Sequence, residues 1–205
     1  MNLNRKICKF IQKRRNLNNN KNSYFTYEEY KNLVITYGNK DWREVNFQNR
    51  IILPMLEKIV ADNDNNKIYN IDVVDVSTQY KNGESEIHTR KYYANEYTPD
   101  LLIVRDWNYE NRKIKKDNYI AVVEIKSPIL DPLEKNSNHT MQEIESYTKI
   151  INTVILTDCY TWHFFLRTNG TPNYEEEIFN LFKENTWQDK TVWDRLISFI
   201  KESLR

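Results

Sequence analysis

The sequence predicts an α/β protein whose central mixed β-sheet is flanked by helices, and three observations predict this class. Two segments with helical spacing of apolar residues come first, at 26–38 and 42–60. Short, β-branched apolar segments follow, beginning at 68–76. The rest of the chain contains one helix, then two strands, then two helices. This order is typical of helices layered on a sheet.

The N-terminal 40 residues are expected to form a helical arm. Residues 3–15 place apolar side chains on one face of a short helix whose other faces are basic. We interpret this helix as an amphipathic segment that docks on the domain, and contact with phosphates is the alternative. Thr26 and Glu29 form a capping-box pattern that predicts the start of the next helix.

Residues 42–60 are predicted to form the first helix of the core. The apolar residues Val45, Ile52, Leu56 and Ile59 recur at helical spacing. Pro54 lacks a backbone donor and clashes with the preceding turn, so we expect a kink or a new turn there.

Four segments predict the strands at the centre of the sheet. They lie at 68–76, 86–96, 97–104 and 119–125, and a charged loop separates the last two. Pro99 restricts the third segment to a sheet edge or to the start of a strand.

The C-terminal half is predicted to add one helix, two strands and two further helices. The helix covers 140–151, where Thr140 and Glu143 form a capping-box pattern, and the two strands lie within 153–166. Helices are expected at 174–185 and 191–203. We therefore divide the chain into the arm, a core at 41–167 and C-terminal helices at 168–205 that pack on the core.

Composition excludes several classes of function. The 205 residues carry 30 Lys and Arg against 29 Asp and Glu, so any site for a polyanion must be local. None of the 3 glycines belongs to a phosphate-binding loop, and the 2 cysteines lie far apart, which argues against a disulfide framework or zinc site. No segment is typical of a spanning helix or signal peptide, so we expect a cytoplasmic protein with no membrane partner.

Charged residues stand at the ends of two otherwise apolar strands. Side chains alternate across a strand, so one face of the segment at 119–126 should carry Ile120, Val122, Glu124 and Lys126. Asp100 stands at the start of the segment that contains Leu102 and Val104 and should share their face. Charges in such strands must be paired, hydrated or bound to metal, because burying an isolated charge is costly.

These strand-end groups predict a metal site. The carboxylates of Asp100 and Glu124 and the carbonyl of Ile125 are hard oxygen ligands that suit Mg²⁺, for which Mn²⁺ should substitute. Lys126 would orient a water molecule and neutralise charge on a phosphate in the transition state. The alternative is a structural ion pair at the rim of the sheet.

Pro99 and Asp100, followed by Glu124, Ile125 and Lys126, resemble the signature of the PD-(D/E)XK phosphodiesterases, the fold of many restriction endonucleases. Over roughly residues 41–167, the chain more closely resembles the N-terminal nuclease domain of the motor subunit of type I restriction enzymes. The matching segments are FQNRIILPMLEKI, TPDLLIV, AVVEIKSP and VILTDCYTWHFFL. The resemblance implies a restriction-endonuclease-like core with Asp100, Glu124 and Lys126 as catalytic residues. No helicase-like motor is encoded in this chain.

The resemblance also implies residues on two helices. The family often places a glutamate near the metal on the first helix, and Glu44 is the candidate, with Gln48 one turn later. Related nucleases carry a Q-x-x-x-Y element after the lysine strand. Tyr147 matches it, but Glu143 stands at the glutamine position and Gln142 is one residue away. We take Gln142 and Tyr147 as candidates for positioning the substrate.

The remaining candidates are basic residues and histidines. The loop before the lysine strand could contact DNA phosphates without reading sequence through Arg112, Lys113, Lys115 and Lys116, although a solvated hairpin is the simpler interpretation. His139 is interpreted as a loop residue and His163 as a residue of the core or rim.

The expected function is a Mg²⁺-dependent endonuclease that hydrolyses DNA phosphodiester bonds in restriction or anti-phage defence, a context implied by the resemblance alone. Expected partners are DNA and either a second copy of the chain or subunits that supply DNA recognition or a motor. The alternative is a catalytically silent module with a nuclease fold, which binds nucleic acid or assembles a complex. A third possibility is a structure-specific or RNA-directed nuclease, which differs in substrate only.

Overall fold

The computed structural model describes residues 25–62, 70–76, 97–107, 118–133, 138–167 and 174–204. Two of the predicted elements, the basic helix at 3–15 and the strand at 86–96, lie outside this part of the chain. The described residues form an α/β structure in which helices flank a six-stranded mixed sheet.

The helices and strands follow one another in an order close to the prediction. The helices are α1 (Tyr27–Lys40), α2 (Glu44–Phe47), α3 (Leu53–Ala61), α4 (Asn138–Thr148) and α5 (Lys190–Ser203), and a π-helical turn (Gln48–Ile52) joins α2 to α3. The sheet contains β1 (Ile71–Asp75), β2 (Leu101–Arg105), β3 (Tyr119–Ile125), β4 (Thr153–Thr157), β5 (Thr161–Arg167) and β6 (Tyr174–Asn180). A small hairpin follows, with strands β7 (Phe182–Lys183) and β8 (Thr186–Trp187).

The strands lie in the sheet in their sequence order, from β1 to β6. Neighbouring strands are antiparallel except β3 and β4, which run parallel. Helix α4 lies between β3 and β4 in the chain and provides the crossover that a parallel pair requires. The C-terminal ends of β3 and β4 therefore lie side by side at one end of the central strands, where the charged residues lie.

Each face of the sheet carries its own apolar core. On one face, Tyr30 and Val34 of α1 pack with residues of α3 and α5 in the larger cluster. On the other face, Ile144 and Tyr147 of α4 pack against β2 and β3 in the smaller cluster. Burial on both faces explains why the central strands are almost continuously apolar.

Helix α1 belongs to the larger core. The capping box predicted for Thr26 and Glu29 is confirmed at its N-terminus. The Tyr30 hydroxyl donates to the Cys159 carbonyl at 2.8 Å and accepts from Trp162 Nε1 at 3.1 Å. These buried contacts fix α1 to the turn between β4 and β5.

The new turn predicted at Pro54 is confirmed. Helix α3 begins at Leu53, so Pro54 lies in its first turn, and the π-helical turn ends directly before it. Because proline offers no N–H, the regular ladder of helical hydrogen bonds must change at this point.

The prediction of a helix at 174–185 is wrong. These residues form β6 and the first strand of the small hairpin. β6 pairs antiparallel with β5 along its whole length, from Tyr174 opposite Arg167 to Asn180 opposite Thr161. The glutamates favour a helix locally, but pairing with the otherwise open edge of β5 and burial of Phe179 outweigh that preference. Among the described residues, the C-terminal region accordingly adds one strand to the sheet, a separate two-stranded hairpin and a single helix, α5.

A β-bulge in β3 changes one predicted face. Ile103 pairs with Ala121, whereas the next residue, Val104, pairs with Tyr119. Ile120 is the extra residue, and it packs in the larger core rather than on the Glu124 face. The predicted alternation holds beyond the bulge, for Val122 and Glu124.

Among the described residues, no helix combines the length and apolar character needed to cross a membrane.

Candidate active site

Asp100 and Glu124 lie beside each other on neighbouring strands. Leu101 pairs with Val123, so the preceding Asp100 comes opposite Glu124 on the adjacent strand. Asp100 Oδ2 accepts a hydrogen bond from the Ile125 backbone N–H at 2.7 Å. Both carboxylates are buried. The two carboxylates predicted to act together therefore meet at one edge of the sheet.

Lys126 lies between two carboxylates at the same edge. Its Nζ donates to Glu124 Oε1 at 2.6 Å and to Glu143 Oε2 at 3.0 Å. Its backbone N–H donates to the Thr157 carbonyl at the end of β4, at 2.8 Å. The lysine is thus fixed at both its backbone and its ammonium group.

Glu143 was not predicted as a site residue, and the capping box predicted for Thr140 and Glu143 is wrong. Helix α4 begins at Asn138, so Thr140 lies inside the helix and is buried. The Glu143 carboxylate contacts Lys126 and also lies 3.5 Å from His139 Nδ1, one helical turn earlier. The spacing of the Q-x-x-x-Y element had pointed to this position, although the residue there is a glutamate.

The two other candidates on α4, Tyr147 and Gln142, lie in different environments. The Tyr147 hydroxyl is buried and donates to Glu124 Oε2 at 3.2 Å, so this residue belongs to the site. Gln142 is exposed, and its Oε1 accepts from the Tyr97 hydroxyl at 3.5 Å, away from the carboxylates. His139 is a helical residue rather than a loop residue, and its ring packs edge-on to Tyr97.

Glu44 is the first residue of α2 and is partly buried near the charged cluster. Burial raises the pKa of Glu44 to about 7. Lys126 opposes this shift in pKa, whereas Glu124 and Glu143 add to it. Glu44 therefore lies within the electric field of the strand-end charges. The neighbouring Gln48 is buried at the start of the π-helical turn.

The site has more carboxyl groups than cationic groups. Burial raises the pKa of Asp100, and the charge of Glu44 raises it further. Burial also raises the pKa of Glu124, with an additional contribution from Asp100. Burial alone would lower the pKa of Lys126, but its carboxylate neighbours raise it overall, so the lysine is charged at neutral pH. The one ammonium group contacts the carboxylates of Glu124 and Glu143, and its charge also lowers the pKa of Asp100 and of Glu44.

This excess fits a divalent cation. Within the described ranges, no three His, Cys, Asp or Glu side chains are arranged to hold a metal ion. Mg²⁺ keeps several of its waters, however, and needs only one or two protein carboxylates. Asp100, Glu124 and the Ile125 carbonyl are oxygen donors of the required kind, and repulsion between the carboxylates would be relieved by a cation.

A hydrogen-bonded turn that begins at Ser127 forms the rim of the candidate site beside Glu44. The Ser127 hydroxyl donates to the Trp42 carbonyl at 2.6 Å and so joins the end of β3 to the segment before α2. The predicted phosphate contacts Arg112, Lys113, Lys115 and Lys116 lie outside the described residues.

His163 lies on β5, two strands from Glu124 and separated from it by Leu156, and is a residue of the rim as expected. Its Nε2 lies 2.7 Å from Glu176 Oε2, and its ring stacks on Phe165.

Comparisons with protein-family models, with curated proteins and with solved structures found no match for this chain.

Proposed function

We propose that this chain is a Mg²⁺-dependent endonuclease that hydrolyses DNA phosphodiester bonds. One observation carries the proposal: the Asp100 carboxylate is hydrogen-bonded to the backbone of Ile125, the residue between Glu124 and Lys126. Two carboxylates and an ammonium group are thereby held together at the ends of paired strands. This combination suits the transfer of a charged phosphoryl group.

A restriction-endonuclease-like core is part of the proposal. A helical segment, three antiparallel strands, the crossover helix α4 and a strand parallel to β3 follow one another in the chain. This order supports the resemblance on which the role in restriction or anti-phage defence rests.

The cation would be held by Asp100, Glu124 and the Ile125 carbonyl, with Glu44 beside them. When bound, Mg²⁺ lowers the pKa of a water molecule and neutralises negative charge that develops on a phosphate.

Lys126 acts as a fixed positive charge. Its carboxylate neighbours keep it protonated, so it is not a base for removing a proton from water. It can instead donate a hydrogen bond to a phosphate oxygen or to the attacking water. The contact with Glu143 holds the ammonium group in position for this role.

Tyr147 orients Glu124. Its hydroxyl donates to one oxygen of the carboxylate while Lys126 binds the other. Because the tyrosine is buried, it restricts the rotation of the carboxylate and excludes water from that side.

One observation favours a second candidate, a catalytically silent module that binds nucleic acid or assembles a complex. Both oxygens of Glu124 already have protein partners, as in a structural ion pair. A module of this kind would bind its partner without a divalent cation, and Asp100→Asn would leave that binding unchanged.

The experiment that tests the proposal combines calorimetric titration of Mn²⁺ and Mg²⁺ with plasmid cleavage. The variants are Asp100→Asn, Glu124→Gln and Lys126→Ala, and Glu175→Gln is the matched control because Glu175 is exposed on β6. We expect the two carboxylate variants to lose metal binding and cleavage. Lys126→Ala should lose cleavage, and the control should behave as wild type.

Wild-type protein that binds no divalent cation would contradict the proposal. Cleavage that survives both carboxylate substitutions would place the catalytic residues elsewhere in the chain.

A further inference from the structure

An apolar surface borders the candidate active site. Four of the six exposed large hydrophobic side chains in the described part of the chain lie in two short segments at its rim. They are Trp42 (51% exposed), Val45 (44%), Ile129 (45%) and Leu130 (63%), which we call the apolar rim. Exposed apolar side chains gathered in one place mark an interaction site more reliably than scattered ones.

Hydrogen bonds hold the two segments of the apolar rim together. The Ser127 hydroxyl, which donates to the Trp42 carbonyl, also accepts from the Ile129 and Leu130 N–H groups at 3.4 and 3.1 Å. The Asp131 N–H closes the turn by donating to the Ser127 carbonyl at 2.9 Å. The apolar rim is therefore a pre-organised surface.

The apolar rim is continuous with the charged cluster. Glu44 stands between Trp42 and Val45 in the chain, and Ser127 directly follows Lys126. The hydrogen bond from the Ser127 hydroxyl to the Trp42 carbonyl places the turn beside the segment that carries Glu44. A phosphate held at Lys126 would bring its neighbouring nucleotides to the apolar rim.

The charges around the site indicate which kinds of contact hold the substrate. Lys126 is already paired with Glu124 and Glu143, and the exposed Arg43 beside Trp42 is paired with Asp41. The attraction of these two cationic side chains for a phosphate backbone is therefore weakened. Stacking and apolar contact with bases are sources of affinity that do not require positive charge.

The faces of bases are accessible only in some nucleic acids. In a continuous duplex the bases stack on each other, and a protein reaches their edges through the grooves. An indole and a leucine side chain can contact a base face only where the bases are unpaired or unstacked.

We infer that the apolar rim binds unstacked bases next to the scissile phosphate, and that the substrate is a strand with unpaired bases rather than a continuous duplex. The inference rests on the proposed function for the position of that phosphate. Trp42 supplies the stacking surface, and Ile129 and Leu130 form the apolar turn that faces the neighbouring base.

The test measures binding of labelled single-stranded, forked and fully paired DNA by fluorescence anisotropy, with Ca²⁺ in place of Mg²⁺. The variants are Trp42→Ala and Leu130→Ser. Ile178→Ser is the matched control because Ile178 is also an exposed large hydrophobic residue but lies on β6. We expect wild type to prefer the substrates with unpaired bases, and Trp42→Ala to weaken that binding about tenfold. Leu130→Ser should weaken it less, and the control should not change it.

Equal affinity for duplex and unpaired DNA, or binding unaffected by the rim variants, would overturn the inference. Rim variants that convert a dimer to a monomer in sedimentation, with DNA binding intact, would also overturn it and identify an interface between copies.

Cleavage with Mg²⁺ separates this inference from the proposed function. Rim-dependent binding of unpaired DNA without cleavage would support the inference and contradict the nuclease. Cleavage that depends on Asp100 but not on Trp42 would support the nuclease and contradict the inference.

Discussion

Lys126 is held by two carboxylates, and they have different consequences for the site. Glu124 belongs to the same strand end and is nearly enclosed, whereas Glu143 reaches the lysine from α4. Glu143 therefore couples the position of the crossover helix to the position of the ammonium group. It acts on the proposed reaction through Lys126 and is a positioning residue.

This contact predicts a graded effect of substitutions at Glu143. Glu143→Ala removes one acceptor from Lys126, and we expect cleavage to fall about 100-fold because the ammonium group is displaced. Glu143→Gln keeps an acceptor oxygen and should retain most of the activity. Steady-state cleavage rates of both variants test this, with the exposed Glu145→Ala on the same helix as control. Equal loss in the alanine and glutamine variants would show that the charge, rather than the contact, is needed.

Asp158 is a buried carboxylate that stabilises the turn after β4. Its Oδ2 accepts from the Leu133 N–H at 2.9 Å, and its Oδ1 accepts from Tyr160 and Thr161 at 3.0 and 2.7 Å. We expect Asp158→Ala to lower the free energy of unfolding by about 2–4 kcal/mol, because it leaves buried N–H groups without an acceptor. Asp158→Asn should lower the free energy of unfolding by a smaller amount. Urea denaturation measures both, and a loss below about 0.5 kcal/mol for the alanine variant would contradict this assignment.

The site residues differ in how far the sequence could reveal them. Asp100, Glu124 and Lys126 follow from strand alternation, because charges at the ends of apolar strands are unusual and their spacing fixes their faces. The contact of Glu143 with Lys126 depends on how α4 crosses the sheet, which is a tertiary feature. The role of Asp158 depends on Leu133, a residue distant in sequence, although an aspartate before a turn is itself a typical turn signal.

At the scale of elements, the strongly periodic segments were predictable and the edge of the sheet was not. The segments that became β2, β3, β4 and β5 are apolar enough to be recognised as strands. β6 is rich in glutamate and partly exposed, so its sequence favours a helix until the hydrogen-bonding edge of β5 is present. The bulge at Ile120 is likewise set by pairing with β2.

The pairing of β5 with β6 predicts a dependence of stability on pH. Burial lowers the pKa of His163, and the hydrogen bond to Glu176 only partly offsets this effect. The unfolded chain therefore binds this proton more readily, so the stabilisation is present above the ordinary histidine pKa of about 6.5 and is lost as pH falls through it.

We expect His163→Gln to flatten the decrease in the free energy of unfolding as pH falls from about 7 to 5. Denaturant titrations at several pH values measure the slope. His139→Gln is the control, because His139 is largely exposed on α4. An unchanged slope in His163→Gln would show that other groups set the acid sensitivity.

At the scale of the whole molecule, the near-neutral chain concentrates buried carboxyl groups at one end of its central strands. Unfolding separates these carboxylates, so their repulsion destabilises the folded state when no cation is bound. The fold and the proposed metal site are therefore coupled: a cation that binds the folded protein should stabilise it, and removal of a buried carboxylate should stabilise the metal-free protein.

Thermal unfolding tests this coupling without an assay of cleavage. At a cation concentration 100 times the dissociation constant, binding adds about 2.7 kcal/mol. For a chain of this length, that corresponds to a rise in Tm of roughly 5–10 °C. Asp100→Asn keeps an acceptor for the Ile125 N–H, so we expect a higher Tm without metal and no further rise with Mn²⁺ or Mg²⁺. Glu175→Gln should show the wild-type shift. A wild-type Tm that neither cation changes would mean that Lys126 alone balances the carboxylates here, and an equal rise in Asp100→Asn would mean that the cation binds without Asp100.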